Sequence, residues 1–360
     1  MGLFRFSYLI IGFIFVISVL LSFIFSFDLR FNLVSRLTVF FVFLIFIFVI
    51  HNLRQNKFAK FISVKRFNIG AIFVLALIIR LFWTLFSKNL QVSDYAYYEL
   101  LANKIKDGQF LFTSYKSTGA SIFIAGIFFL FGNNILIVKI FYSILSATQI
   151  PLLFYIVKEL TNDEKLSRIS SVILCLYPAH IFYSNLTGTE IIFVFFILLF
   201  IYLIVLLSKS NKKKYIFIIG SGIVIGLSNW IRNHALLYLI SFIFVLFFSI
   251  CKSQRQFLFF LMLFIISFLA VNIPVIHWNI NKNRIVSLNN VHTGGLSLLI
   301  GTNLKYKGRC LKNEYDYNLY YSWFKDKNNP DYSDFKFANK NSVDTACQRI
   351  SDNFLGFIKM

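Results

Sequence analysis

The sequence has 360 residues, of which 58% are hydrophobic and 14% are charged, and its mean hydropathy is +0.72. Soluble domains carry about 25% charged residues, so a water-soluble globular fold is excluded. Collagen-like and disulfide-scaffold classes are excluded because the chain has 4 prolines and 4 cysteines. We therefore predict a polytopic membrane protein, and we interpret the net charge of +21 as a topology signal rather than as a nucleic-acid-binding surface.

Apolar runs near the ~20 residues that cross ~30 Å of hydrocarbon recur along the chain. The first, at about 8–25, lacks a signal-peptide cleavage pattern and should remain attached as a span. The other eight predicted spans lie at 37–50, 67–87, 135–157, 167–186, 189–207, 215–231, 234–250 and 256–276. The expected fold is all-α, with about nine transmembrane helices.

A tenth apolar stretch, Gly119 to Phe131, is too short for a span, and whether it crosses decides the sidedness of all later loops. If it does not cross, the cation-rich linkers lie with the N-terminus in the cytosol, as the positive-inside rule requires. Those linkers are 51–66, 158–168, 209–214 and 252–255. If it crossed, the Lys212-Lys213-Lys214 cluster would face outward. We therefore predict an interfacial helix at 119–131.

Under this topology the chain divides into four parts. Residues 1–66 supply two additional N-terminal spans and a cytosolic loop, and residues 67–276 form a membrane core with the outer loop 88–134. Residues 277–352 mix charged, aromatic and turn residues, which indicates a small extracytoplasmic α/β domain. Residues 353–360 begin a further apolar run, as a truncated span would.

Common catalytic motifs are missing from the sequence. It contains no C-x-x-C, zinc-protease, serine-hydrolase or Walker pattern. Cys310 and Cys347 both lie in the outer region, where a disulfide and two free thiols fit equally well. The chemistry must therefore be sought in individual ionisable residues at the span boundaries.

The outer loop places Asp94 directly after the span that contains Trp83. A carboxylate at the headgroup boundary can act as a base or hold a divalent ion. The alternative is that Ser93 or Asp94 caps the aromatic-rich amphipathic helix that follows, and on this loop alone capping is favoured.

Glu190 lies at the outward junction between two predicted spans. An acid at a span boundary is costly without a partner, which favours a functional role. The alternative is a favourable charge in the first turn of the next helix. Asp94 and Glu190 face the same side under the predicted topology, so together they are the candidate catalytic pair, as general base and metal ligand.

Three basic residues are predicted at the same level as the two acids: Lys116, Arg232 and His234. Arg recognises phosphate through its bidentate fork and Lys acts as a point charge, so this set suits a lipid-linked phosphate. The alternative is snorkelling to the headgroups. Arg80 and Lys139, within or near spans, are interpreted as structural.

In order and spacing these features resemble the glycosyltransferase C (GT-C) superfamily. They are most similar to the bacterial dolichyl-phosphate-mannose mannosyltransferase-like group, which includes protein O-mannosyltransferases and the lipid A aminoarabinose transferase. The resemblance runs from about Arg80 to Gly308. The segments that carry it are Ser93-Asp94-Tyr95, Tyr115 to Gly119, Tyr177-Pro178, Thr189-Glu190, Gly226-Leu227, Ile231-Arg232, Pro274, Thr293-Gly294-Gly295 and Gly301-Thr302-Asn303.

The resemblance implies a GT-C-like enzyme that moves a sugar from a polyprenyl-phosphate donor to a lipid, glycan or protein, with inversion at the anomeric carbon. Asp94 then looks like the catalytic acid of the first loop and Glu190 like that of the second. These two would also hold a divalent cation, Mg²⁺ or Mn²⁺. Lys116, Arg232 and His234 would face the donor phosphate. Donor or acceptor loops would include Tyr115, Gly294, Gly295 and Asn303.

The expected location is a bacterial plasma membrane, with the N-terminus cytosolic and the active site outside. The sequence also departs from the family pattern. Ser117-Thr118-Gly119 replaces paired prolines, Trp278-Asn279 replaces Arg-Asn, and the chain ends as an apolar run begins, so a partner could complete the donor groove. A flippase for lipid-linked glycans and a non-catalytic subunit of a glycan assembly complex are the alternatives. A flippase needs ionisable residues near the middle of several spans.

Overall fold

The computed structural model describes residues 68–87, 91–109, 112–113, 116–210, 214–233, 235–251, 253–288, 294–303, 314–324 and 332–353. All regular structure in these ranges is helical. In chain order the helices are α1 (Ile69–Phe86), α2 (Asp94–Lys106), α3 (Gly119–Phe131), α4 (Ile135–Thr161), α5 (Glu164–Leu176), α6 (Pro178–Tyr183), α7 (Glu190–Lys209), α8 (Lys214–Ile231), α9 (Ala235–Val245), α10 (Gln254–Trp278), α11 (Gly294–Gly301), α12 (Glu314–Ser322) and α13 (Tyr332–Asp352).

Within the described ranges, five helices are long and apolar enough to cross a membrane, namely α1, α4, α7, α8 and α10. An all-α membrane fold is therefore confirmed. The predicted span 234–250 is the shorter helix α9 followed by a π-helical turn, Leu246–Ile250. The predicted spans 8–25 and 37–50 lie outside the described residues, so the total of nine stays a prediction. The predicted C-terminal domain contributes helices α11 to α13, and its strand content also stays a prediction.

The turns at one end of the helix bundle carry mostly cations. Asn162 adopts a left-handed conformation after α4, with φ of 54°, and Asp163 then caps α5 through its side chain. At this end Lys158 and Arg168 both pair with Glu164, and Lys209 pairs with Glu159 across two helices. These residues belong to the linkers whose positive charge predicted a common side of the membrane.

The opposite end of the bundle gathers the predicted outer loops. Gln91, after α1, bonds to Asn185 in the α6–α7 connection. Gly119, at the start of α3, packs so tightly on the end of α8 that a Cβ there would lie 2.6 Å from the Trp230 carbonyl oxygen. The loops that precede α2, α3, α7 and α9 thus meet at one end of the bundle.

Helix α3 does not carry the chain to the other end. Its 13 residues span about 20 Å, which is short of the ~30 Å hydrocarbon core. It runs in the same direction as α2. Lys116 before α3 contacts Asp94 at the start of α2, and Asn133 after α3 bonds to Asn103 and Lys106 near the end of α2. These contacts show that α3 lies alongside α2, and its interfacial position stays a prediction.

The predicted span 167–186 is interrupted at Tyr177, which separates α5 from α6. Tyr177 is extended, with ψ of 113°, because the ring of Pro178 clashes with a helical residue before it. Pro178 then starts α6, where a missing N–H costs nothing. The break removes the α-helical partners of the Leu174 and Cys175 carbonyls inside an apolar bundle, and the Tyr177 N–H donates to the Leu174 carbonyl at 3.3 Å.

The guanidinium of Arg80, fully buried in α1, fills this break. It donates to the carbonyl oxygens of Leu174 and Cys175, each at 3.3 Å, to Ser146 Oγ at 2.7 Å and to His180 Nδ1 at 2.9 Å. Arg can only donate, so His180 Nδ1 accepts and the ring carries its proton on Nε2.

From His180 the chain of hydrogen bonds continues toward α7. His180 Nε2 donates to Gln149 Oε1 at 2.8 Å, and Gln149 Nε2 donates to the Ile191 carbonyl oxygen at 2.9 Å. Each member supplies the donor that the next acceptor needs. The helix break is therefore joined to the first turn of α7.

We predict that Arg80→Met strongly destabilises the protein. Met fills a similar apolar volume but leaves the Cys175 carbonyl without its Arg80 donor, at about 1–3 kcal/mol. The Leu174 carbonyl retains the Tyr177 N–H, and His180 Nδ1 retains the Ser146 hydroxyl. The melting temperature in detergent should therefore fall by several degrees. Lys165→Met, an exposed cation on α5, is the matched control and should leave it unchanged. Equal melting temperatures for both variants would contradict this role of Arg80.

Candidate active site

The first of two ion pairs at the outer-loop end joins α7 to the turn after α8. Arg232 Nη2 forms a close ion pair with Glu190, and Arg232 Nε donates to Thr189 Oγ1 at 2.7 Å. The guanidinium also lies 5.9 Å from the centre of the Phe193 ring. Glu190 opens α7, where the positive helix end favours an acid. Both charged side chains are about one third exposed.

The second ion pair joins α2 to the loop before α3. Lys116 Nζ lies 2.7 Å from Asp94 Oδ2, and the Asp94 side chain is 55% exposed. Asp94 is the first residue of α2, and the preceding Ser93 makes no side-chain cap hydrogen bond. Ser93 instead has a φ of 56°, an uncommon conformation for a residue that is not glycine. Each predicted acid thus meets one predicted cation.

Two tyrosines of α2 lie between the ion pairs. Tyr98 interacts with the Thr189 side chain, and the charges of Asp94, Glu190 and Arg232 all act on it. Burial raises the pKa of Tyr98 to about 12, with Asp94 and Glu190 adding to the shift. Burial, followed by the charge of Glu190, raises the pKa of Tyr95 well above its usual value. Both phenols therefore stay protonated and available as hydrogen-bond donors.

Gly188 is the point at which the two acid-bearing segments touch. A Cβ at Gly188 would lie 2.5 Å from Tyr95 Cε1 and would also meet the Glu190 carboxylate. The Gly188 carbonyl oxygen accepts from the buried Tyr142 hydroxyl at 2.9 Å. The absence of a side chain here lets Tyr95, the neighbour of Asp94, approach Glu190.

Sequence reasoning missed Tyr98 and Gly188 as site residues. The aromatic residues of α2 are visible in the sequence, but nothing in a single sequence pairs α2 with the Thr187-Gly188-Thr189 turn. The spacing of Tyr95 and Tyr98, three residues apart on one helix, is the signal that could have indicated a shared face.

The other predicted site residues have different outcomes. His234 and Tyr115 lie outside the described residues. Gly294 and Gly295 open α11, and Asn303 donates to Asp316 Oδ2 at 2.8 Å within the C-terminal helices. Arg349 pairs with the same fully buried Asp316. Asn303 thus helps to hold these helices together, and the roles of all five residues at the active site stay predictions.

An open cavity of about 460 Å³ lies beside the Lys116 loop. Its wall combines the end of α10 and the π-helical turn that follows it, Asn279–Asn283, with Phe112, whose ring meets Trp230 edge-on at 5.4 Å. The lining residues are Phe112, Pro274, His277, Trp278, Asn281 and Lys282. Apolar and aromatic surface with a cationic rim suits an amphiphile with an anionic head.

The described residues contain no group of three or more His, Cys, Asp or Glu side chains placed to hold a metal ion. Asp94 and Glu190 are each engaged with a cation. Mg²⁺ is often bound by one or two carboxylates together with phosphate oxygens of a substrate. The divalent cation therefore stays a prediction.

Comparison with known protein families gives a match to the membrane core. Residues 116–278 match the family model described as dolichyl-phosphate-mannose-protein mannosyltransferase. No curated protein shows a significant match. The matched range contains Lys116, Glu190 and Arg232, whereas Asp94 precedes it. The resemblance inferred from the sequence is confirmed, and it indicates a membrane glycosyltransferase of the GT-C type.

We predict that Gly188→Ala displaces the Tyr95 ring, since the added methyl group would overlap it. Overpacking of this kind costs about 1–3 kcal/mol, so the melting temperature should fall by several degrees. Gly126→Ala, within α3, is the control because its Cβ would meet nothing within 4 Å. That variant should be as stable as the wild type or more so. A Gly188→Ala protein of wild-type stability would contradict the contact.

Proposed function

We propose, from the match of residues 116–278 to the dolichyl-phosphate-mannose-protein mannosyltransferase family model, that the chain transfers a sugar from a polyprenyl-phosphate donor to a lipid, glycan or protein acceptor. The observation that carries the proposal is the pairing of two acids with two cations at one end of an apolar helix bundle. A lipid-linked donor has a matching arrangement, because its tail is apolar and its head is anionic.

Arg232 and Lys116 are the groups proposed to bind the donor phosphate. Arg232 is aimed by its bonds to Thr189 and Glu190, which leaves part of its planar fork for phosphate oxygens. Lys116 acts as a point charge on a flexible stem, so it can turn from Asp94 toward a phosphate. His234 and the Tyr115 loop are proposed to complete this region.

Asp94 is proposed as the general base. Its carboxylate is more exposed than that of Glu190, and a single lysine holds it, so an acceptor can reach it. Glu190 is fixed by the same arginine that binds Thr189, which suits it to orient Arg232. The two acids thus divide the work, one toward the acceptor and the other toward the donor.

The proposed reaction inverts the anomeric carbon in a single displacement. Asp94 accepts the proton of the acceptor hydroxyl, and the oxygen forms its new bond to the anomeric carbon on the face opposite the phosphate. The bond between that carbon and the phosphate oxygen breaks, and polyprenyl phosphate leaves with the electron pair. Lys116 and Arg232 stabilise the charge that develops on the leaving phosphate.

The finer expectations about the molecule belong to the same proposal. They are about nine spans, an extracytoplasmic domain after residue 276 with α/β character, a divalent cation at the acids, and a bacterial plasma membrane. The cationic turns around Lys158 and Lys209, at the end opposite the acids, support a cytosolic position for those turns. The site would then face the outside.

We predict that Asp94→Asn lowers sugar transfer by at least about 100-fold, since removing a general base typically costs 10²–10⁴. Membranes would be incubated with labelled polyprenyl-phosphate sugars, mannose first, and the labelled product followed. Asp107→Asn, at the exposed C-terminal end of the same helix, is the matched control and should transfer at the wild-type rate. Normal turnover by Asp94→Asn would exclude it as the base, and no labelled product from any donor would overturn the proposed function.

A further inference from the structure

Gln91 connects the segment before Asp94 to the segment before Glu190. Its Nε2 donates to the Asn185 carbonyl oxygen at 3.2 Å. Its Oε1 accepts from both the backbone N–H and the hydroxyl of Thr187, each at 3.0 Å. Every polar atom of the amide is therefore used, and all of its partners belong to one turn.

A second contact joins the same two segments. The Asn185 side-chain amide donates to Ser87 Oγ in a close hydrogen bond. Ser87 ends α1, and Asn185 follows the short helix α6. Thus residues 87 and 91 on one side are fastened to residues 185 and 187 on the other.

The segment after Gln91 is strained. Ser93 has a φ of 56°, and such a conformation costs on the order of 1–3 kcal/mol and persists only where the surroundings impose it. The turn is held locally by Tyr95 N–H donating to the Val92 carbonyl and by Tyr97 N–H donating to the Ser93 carbonyl. Gln91, two residues before Ser93, fixes where this strained turn starts.

We propose that Gln91 is a positioning residue that sets the placement of Asp94 relative to Glu190. Gln91 precedes Asp94 by three residues, and its partner Thr187 precedes Glu190 by three residues. The inference rests on the proposed function, because Gln91 affects the reaction rate only if Asp94 and Glu190 act in the same reaction. A misplacement of about 1 Å at a reacting centre can cost about 100-fold in rate.

The contacts specify an amide at this position. Glu would retain the acceptor for Thr187 but would face the Asn185 carbonyl oxygen without a donor. Leu would lose all three contacts. The rank of function is therefore Gln above Glu above Leu, an order that differs from the order of side-chain hydrophobicity.

The test compares Gln91→Leu and Gln91→Glu with Gln109→Leu, which makes the same change at an exposed position in the loop after α2. Gln91→Leu should lower kcat by about 10- to 100-fold while the donor KM stays within about threefold. Gln91→Glu should fall between it and the wild type, and Gln109→Leu should match the wild type. A raised KM with an unchanged kcat would overturn the inference, since it would indicate a contact with the substrate.

Amide hydrogen exchange provides a readout that does not depend on activity. In Gln91→Leu the Thr187 amide loses its acceptor, so exchange should rise in peptides covering 185–190 and 92–98 and stay unchanged in α10. Unchanged exchange in both peptides, or a uniform rise across the chain, would overturn the positioning role. This measurement also separates the two proposals. Increased local exchange together with an active Asp94→Asn enzyme would contradict the proposed function while leaving the Gln91 connection intact.

Discussion

The rest of this structure depends on one constraint: the backbone carbonyl groups at a helix break must find hydrogen-bond donors in a bundle without water. Lipid offers no hydrogen-bond partners, so the carbonyls freed at Tyr177 need donors from the protein itself. Arg80 supplies them from another helix, and the chain of donors through His180 and Gln149 ends at the Ile191 carbonyl. That carbonyl follows Glu190 directly. The core of the bundle therefore holds the first turn of the helix that carries the site.

At the outer-loop end, the charged side chains also find their partners within the protein, as ion pairs. Asp94, Glu190, Lys116 and Arg232 form two pairs, so the cluster carries little net charge before any substrate binds. A phosphate that binds Lys116 competes with the Asp94 carboxylate for that cation. Under the proposed function, donor binding then releases Asp94 from Lys116 as it fills the phosphate site. Binding of one substrate would thereby prepare the base for the other.

Much of this arrangement could be predicted from the sequence. Counting spans and sorting cations by side placed Asp94, Lys116, Glu190 and Arg232 together, and the structure gathers them at one end. Which acid meets which cation could not be predicted, because each pair joins segments from different parts of the chain and depends on side-chain reach.

The break at Tyr177 and the role of Gln91 are two further features that could not be predicted from the sequence. Hydropathy averages over about 20 residues, so the predicted span 167–186 concealed the break, although Pro178 was visible. Gln91 carries no charge and belongs to no motif, so only its three hydrogen bonds to Asn185 and Thr187 in the folded chain indicate its role.

The central claim is that Asp94 acts as the general base and that Lys116 and Arg232 bind the donor phosphate. Measurement of donor binding in the absence of turnover tests this claim most directly. Equilibrium binding of labelled polyprenyl-phosphate mannose would be measured for the wild type, Asp94→Asn and Arg232→Ala. We expect Asp94→Asn to bind the donor at least as tightly as the wild type, because Lys116 is released. Arg232→Ala should bind about tenfold or more weakly, since hydrogen bonds to charged groups contribute about 1.5–3 kcal/mol. Loss of donor binding in Asp94→Asn, with binding retained in Arg232→Ala, would contradict the account.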